Sequence, residues 1–349
     1  MANVQQNSIA ELPTCKPAGS PPNLFSVVVP LYNKKPYIRR CVESVLQQTF
    51  KKFELLVVDD GSTDRGVLEL TGIEDPRLGI LRQENQGVAA ARNAGVARTK
   101  GEWIAFLDAD DFWLVNHLQE LDKIIASNCD AGLVATGHVE RTADQEFPLV
   151  THEFCRIATL DYFSEAAKKM GVVCSSTAAV RRSAFNTVGG FENFRPGQDR
   201  RLWSRIALDF PVAVSSKVTA VYCRGTGGVI ESMANVTSRK PGKLTLADVT
   251  PDVALLAGCF EEKKYQNKRN SIVAYLNSRV HGSIRGALYR GNVHEARSLS
   301  KLFISPRLFR FRILSYVFLL PDVCIEMMLV LFRARKLLWK KNSKLTVLE

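Results

Sequence analysis

Between residues 25 and 135 the chain alternates short apolar runs with amphipathic segments, and this rhythm limits the fold more than any other feature. Phe25-Ser-Val-Val-Val-Pro30 is a β-branched run ending at a proline, the pattern of a buried strand. Glu54-Leu-Leu-Val-Val-Asp59, Leu78–Leu81, Trp103–Leu107 and Ala131–Ala135 read as further strands. Between them, Pro36–Gln48 sets Ile38, Val42, Val45 and Leu46 on one helical face, with Pro36 suited to a first turn. Gly87–Arg98 is alanine-rich and Val115–Ser127 again has helical spacing. Strands alternating with helices of this length predict βαβ units, an α/β fold and a mostly parallel, Rossmann-like sheet. Beyond about residue 137 the rhythm breaks. Strands are predicted over Val172–Val180 and Val212–Tyr222, with a helix over Asp199–Leu208. Phe260–Leu302 reads as helical, with a break at Gly291-Asn292.

The composition excludes several classes. Apolar residues make up 46% of 349 and charged residues 23%, ordinary for a globular chain and wrong for a disordered, collagenous or polytopic membrane protein. Residues 1–24, with Pro13, Pro17, Gly19, Pro21 and Pro22, read as a flexible leader. No basic-then-apolar signal segment opens the sequence, and no two of the eight cysteines form C-x-x-C. Free thiols in a reducing cytoplasm are the expectation. The net charge is +12, and residues 301–349 supply +7 of it, which points to an anionic partner.

In parallel α/β sheets ligands sit beyond the carboxyl ends of the strands. Three predicted strands end in polar groups there: Pro30-Leu-Tyr32-Asn33, Asp59-Asp60-Gly61-Ser62 and Asp108-Ala-Asp110-Asp111. Three carboxylates in four residues repel one another unless a cation or a proton intervenes. Hard carboxylate oxygens suit Mg²⁺ or Mn²⁺, which could bridge a diphosphate; the plain alternative is acids favoured by a helix N-terminus. Asp59 and Asp60 either cap a turn or accept hydrogen bonds from a nucleoside, and Tyr32 either stacks on a base or merely packs. Asp199 opens a predicted helix and could be only its N-cap. No G-x-x-x-x-G-K-[ST], no G-x-G-x-x-G after the first strand and no G-x-S-x-G occurs. The five histidines have no metal-ligand spacing and read as packed or surface residues.

Several segments together resemble family 2 glycosyltransferases with the A-type glycosyltransferase fold. They are Phe25–Lys34, Ser44–Phe50, Glu54–Asp64, Asn85–Gly95, Gly101–Asp111, Val188–Phe191 and Gly197–Arg205, in the family's order, and they cover about half the chain. The resemblance implies that Pro30, Tyr32 and Asp60 line the base pocket of a nucleotide-sugar donor. It implies Asp108 near the ribose, Asp110 on a divalent metal, Mn²⁺ or Mg²⁺, and Arg92 facing the donor. Asp199 matches the catalytic base; the family's Glu-Asp is here Gln198-Asp199, which removes a charge beside it. One base without a second nucleophilic carboxylate implies direct displacement with inversion. The organisation expected is a nucleotide-sugar-binding half over 25–136, an acceptor-binding half with the base over 137–250, and a helical basic region over 251–349. The product would be a cell-surface polysaccharide or lipid-linked glycan. Two other readings are a sugar nucleotidyltransferase, disfavoured because Tyr32-Asn-Lys-Lys35 lacks the glycines of a phosphate loop, and a non-catalytic nucleotide-sugar-binding module.

The C-terminal tail makes its own prediction. Ile313–Phe332 is twenty residues long but contains Pro321, Asp322 and Glu326. Each acid buried in a bilayer would cost about 2.5–3.5 kcal/mol, which disfavours spanning. Basic residues flank the stretch on both sides, with Trp339 among them, as in a helix lying in an anionic membrane interface. The expectation is a peripheral enzyme on the cytoplasmic face of the plasma membrane, beside a glycan or lipid-linked acceptor. A helix packed on the catalytic domain is the alternative, and nothing suggests nucleic-acid binding.

Overall fold

The computed structural model describes residues 24–142, 156–169, 171–194, 197–227 and 244–304. The expected leader before Leu24 and the tail from residue 305 lie outside the described residues. So do 143–155 and 228–243, within the half expected to bind the acceptor. The chain divides into two compact units, residues 1–162 with 171–232, and residues 163–170 with 233–349.

The first unit is built on one nine-stranded sheet. Its strands are β1 (Phe25–Leu31), β2 (Phe53–Asp60), β3 (Leu78–Gln83), β4 (Trp103–Phe106), β5 (Phe112–Trp113), β6 (Leu133–Arg141), β7 (Ile157–Leu160), β8 (Ala178–Arg181) and β9 (Val212–Cys223). They run in the order β3-β2-β1-β4-β8-β6-β9-β5, with β7 also on β9. The first four are parallel, as predicted, and β6 and β9 are parallel to each other. β8 enters antiparallel between β4 and β6, so the sheet is more mixed than the rhythm suggested. Pro30, which has no N–H to donate, falls two residues past the last β1–β4 pair, Val28↔Phe106, where the ladder on that side has ended.

Six helices belong wholly or partly to this region: α1 (Lys35–Leu46), α2 (Val88–Arg98), α3 (His117–Ser127), α4 (Tyr162–Lys168), α5 (Arg182–Val188) and α6 (Gln198–Asp209). α1 buries Ile38, Cys41, Val42 and Val45, a 3.6-residue stripe, against the sheet. α2 packs tightly on β1 at Gly95, which has no side chain: a Cβ there would fall 2.4 Å from Val28 Cγ1. The expected strand over Val172–Val180 begins only at Ala178, since Ser175–Thr177 form a 3₁₀ turn whose polar side chains are buried. Cys41, Cys174, Cys223 and Cys259 are free thiols as expected. Cys129 departs from that expectation: it is disulfide-bonded.

The second unit holds α4 from Phe163 onward, α7 (Pro251–Cys259), α8 (Arg269–Tyr289) and α9 (Val293–Ser300). The α8–α9 break falls where predicted. Gly291 takes φ +79°, and Asn292 caps α9 by accepting from the Glu295 amide at 2.9 Å. Asp252, fully buried on α7, accepts from the Tyr275 hydroxyl at 2.7 Å, and Arg279 stands 3.6 Å away. Among the described residues no helix is long and apolar enough to cross a membrane.

Candidate active site

The carboxyl ends of β1, β2 and β4 converge on one rim, as the strand pairings require. Two loops there are stitched together by polar bonds. Asn33, in the left-handed region at φ 51°, accepts from the Thr63 amide at 2.8 Å, and Asp64 accepts from the Lys35 amide at 2.8 Å. Tyr32 projects from this seam and is exposed, available to stack on a flat ligand.

Asp59 and Asp60 take different tasks. Asp59 accepts from the Ser62 amide at 3.0 Å and faces Arg82 at 3.2 Å, so it closes its own turn. Asp60 reaches forward in sequence. Its oxygens accept from Gln83 Nε2 at 2.8 Å, the Gln86 amide at 2.9 Å and the Gly87 amide at 2.8 Å. It is buried and ties β2 to the N-terminus of α2, where a carboxylate also favours the helix dipole.

The acid loop after β4 is the centre of the site. Arg92, buried on α2, donates to Asp108 Oδ1, with its guanidinium 5.1 Å from the Phe191 ring centroid. Asp110 Oδ2 faces Lys34 Nζ at 2.8 Å and accepts from Thr226 at 2.6 Å; Lys34 also donates to the Thr226 carbonyl at 2.8 Å. Asp111 is buried, accepting from the Ser176 hydroxyl and from the Cys223 amide at 2.8 Å. Burial, and then the neighbouring Asp108, push its carboxyl up to about 8. The Ser176 hydroxyl also lies 3.2 Å from the Asp108 amide, and its carbonyl accepts from Trp113 Nε1 at 2.6 Å. The 3₁₀ turn is thus the bracket of the acid loop.

Asp199 arrives by a separate route. α6 starts after Gly197 at φ +101° and puts Asp199 in its first turn. Arg201 and Arg205 of α6 both pair with Glu192, each at 2.8 Å. Asn93 of α2 clamps the Phe191 backbone, donating to its carbonyl at 2.8 Å and accepting from its amide at 3.0 Å. The helix carrying Arg92 and the helix carrying Asp199 therefore share the Phe191 turn as a common anchor. The Asp199 carboxylate makes no hydrogen bond or ion pair to a described residue, and so is not spent as a cap. The Cys174 thiol is pushed up by burial first, then by Asp111 and Asp108, with Asp199 also contributing.

Six of the seven sequence candidates thus gather on the rim formed by β1, β2, β4 and α2, while Asp199 stands in the first turn of α6, which the Phe191 turn ties to α2. Lys34, Ser176, Cys174 and Thr226 were not singled out, because their significance is tertiary. Among the described residues, no three His, Cys, Asp or Glu side chains are grouped to hold a metal unaided.

The family model described as "Glycosyl transferase family 2" matches residues 26–189, from β1 through α5. Glycosyltransferase GlyG of Streptococcus pneumoniae is 29% identical over 228 residues, 60% of this chain and 73% of that protein. The uncharacterized glycosyltransferase EpsJ of Bacillus subtilis is 33% identical over 124 residues, and this chain spans 36% of its length. The crystal structure of S. aureus TarS 1–349 in complex with UDP-GlcNAc has a TM-score of 0.61 at 18% identity, covering 80% of this chain and 82% of that one. That likeness concerns the fold.

Proposed function

We propose that this chain, whose residues 26–189 match the model of glycosyl transferase family 2, moves a sugar from a nucleotide-diphosphate sugar to a hydroxyl acceptor, with inversion. The observation that supports this reading is a strand-end acid loop braced by Arg92, Lys34 and Ser176, with an unspent carboxylate, Asp199, on the helix that shares the Phe191 turn with the Arg92 helix.

On this reading Tyr32 stacks on the base, beside Pro30. Asp60 holds the Gln86-Gly87 turn that borders the base pocket; Gln83, on the same oxygen, is the partner a nucleobase would replace. Arg92 orients Asp108 toward the ribose. A divalent Mn²⁺ or Mg²⁺ fits the donor set. Asp110 Oδ1 and Asp108 Oδ2 make no hydrogen bond to described residues, and such ions take one or two carboxylates with phosphate and water completing the shell. Bound there, the ion would neutralise charge on the departing diphosphate. Asp199 takes the proton from the acceptor hydroxyl as it attacks. With no second nucleophilic carboxylate proposed, displacement is single and inverting. The basic, apolar C-terminal region supports a peripheral position on the inner membrane face and a part in surface polysaccharide or lipid-linked glycan synthesis.

The test is nucleotide release by the full chain with Mn²⁺ and a panel of donors, beginning with UDP-GlcNAc, UDP-glucose and UDP-galactose. Asp110→Asn should abolish release, and chelator should do the same to the wild type. Asp199→Asn should slow transfer by about a hundredfold or more while donor still raises the melting temperature. Full activity in excess chelator would remove the metal role, and normal turnover by Asp199→Asn would remove the base.

A further inference from the structure

Lys34 stands where three segments remote in sequence meet. Its Nζ lies 2.8 Å from Asp110 Oδ2 and donates to the Thr226 carbonyl at 2.8 Å, while the Thr226 hydroxyl donates to the same Asp110 oxygen at 2.6 Å. This triangle joins the loop after β1, the acid loop after β4 and the chain just past β9. Its root is firm. Asn33, one residue before, accepts from the Thr63 and Asp64 amides at 2.8 and 3.3 Å, and the Lys35 amide, one residue after, donates to Asp64 at 2.8 Å. A four-carbon stem thus carries a point charge from an anchored backbone to the acids.

Two properties follow. An ammonium has three N–H donors. Asp110 and Thr226 take two of them, and the third has no acceptor among the described residues, although the side chain is only 15% exposed. The second property is charge. Asp110 already has a cation against it, and so does Asp108, whose Oδ1 accepts from Arg92. Asp111 is turned away, with one oxygen on the Cys223 amide and the other on the Ser176 hydroxyl. A divalent ion arriving alone therefore meets carboxylates whose charge is already answered, and Lys34 repels it at short range. A diphosphate meets the reverse, a positive charge with a donor to give.

Position names the ligand. Tyr32, two residues before Lys34, is exposed on the same rim and is read above as the base contact, and Asp110 as the metal carboxylate. Lys34 connects the two, at the place of the phosphates in a nucleotide with its base at one end and its counter-ion at the other. Arg92 cannot share this task, since it is buried on α2 and held against the Phe191 ring.

We propose that Lys34 is the phosphate-binding cation of the donor site, and that, by already neutralising Asp110, it makes uptake of the divalent ion depend on the diphosphate arriving with it. On the glycosyl-transfer reading, on which this rests, metal and donor then enter together.

The test separates charge from structure by sign. Mn²⁺ binding to the full chain without nucleotide is followed by the EPR signal of the free ion, and binding of UDP and GDP by calorimetry, in excess chelator and again in Mn²⁺. Lys34→Met and Lys34→Gln, two neutral variants in case one fails to fold, should bind Mn²⁺ alone about tenfold more tightly, because Asp110 loses its competitor. They should bind the diphosphate in chelator about tenfold more weakly, the scale of a lost charge-assisted hydrogen bond. Lys34→Arg, which keeps the charge, and Thr226→Val, which removes a hydroxyl but no charge, should leave Mn²⁺ affinity within about threefold. For the wild type, Mn²⁺ should tighten diphosphate binding by about tenfold or more. Weaker binding of both ligands by the neutral variants would make Lys34 a mere brace of the loop. That result, unchanged binding of either ligand, or a wild type that binds no diphosphate or gains nothing from Mn²⁺ would each overturn the proposal. Opposite shifts in a chain that releases nucleotide from no donor would instead sink the transfer reading and leave the role of Lys34 standing.

Discussion

Acid should attack this fold first at His117. The ring is wholly buried on α3, stacked on Trp113 with centroids 4.1 Å apart. Nδ1 lies 2.7 Å from the Thr219 hydroxyl, which donates onward to Thr136 at 2.8 Å. With Thr219's proton committed, Nδ1 donates, and Nε2 is left as a buried lone pair with no partner. Protonating it would bury an unpaired charge, and burial accordingly lowers the pKa from 6.5 to about 3. The sign is fixed by that direction. Below pH 6.5 the unfolded chain takes up a proton that the native state refuses until about pH 3, so stability is lost as pH falls through that window.

The slope is about 1.4 kcal/mol per pH unit, so about 2 kcal/mol is gone by pH 5. The loss reaches the site, because Trp113 supports Ser176 and Ser176 supports Asp111. His117→Asn can keep a bond to Thr219 without titrating. Urea unfolding of both proteins, followed by tryptophan fluorescence at pH 7.5, 6 and 5, gives the comparison. The variant starts less stable by a constant, and the gap should close by about 2 kcal/mol toward pH 5. Parallel curves for the two proteins would refute the reasoning.

Two further outcomes are expected. Gly95→Ala should lower stability by about 1–3 kcal/mol, because its Cβ meets Val28 Cγ1 at 2.4 Å and Val58 Cγ2 at 3.1 Å; a melting temperature equal to wild type would show that α2 can move off the sheet freely. The full chain should float with anionic liposomes and detach in high salt, whereas a chain truncated after Pro306 should not float; equal flotation of both would deny the tail its role.

Much of the rim is legible because local sequence determines it. Strand-end acids, a proline where a ladder stops and a helix stripe through 38, 42 and 45 follow from short-range pattern; the fourth buried position is Cys41 rather than the expected Leu46, which is half-buried. What stayed hidden depends on residues far apart in sequence. Asp60 was read as a nucleoside contact or a local cap, yet its partners lie more than twenty residues onward, at Gln83, Gln86 and Gly87. β7 is four residues long and pairs only with β9, too short for periodicity to mark it. The run Val172–Val180 looks uniformly strand-like, but Ser176 must turn to reach Asp111, and that demand breaks the strand.

The acid loop shows how such a sequence can be tolerated at all. Asp108, Asp110 and Asp111 cannot share one loop as three uncompensated anions. Arg92 answers Asp108 from α2, Lys34 answers Asp110 from the β1–α1 loop, and Asp111 keeps its proton up to about pH 8 beneath Ser176. The compensation thus comes from three directions, each tied to a different element. Arg92 is pinned by the Phe191 ring, Lys34 by the Thr226 carbonyl and Asp111 by the Cys223 amide. A loop fixed in this way pays no reorganisation when a ligand arrives. Its unspent oxygens, one on Asp108 and one on Asp110, are already held in place; on the proposed reading they face a diphosphate and its counter-ion, and electrostatic catalysis depends on such preorganised groups.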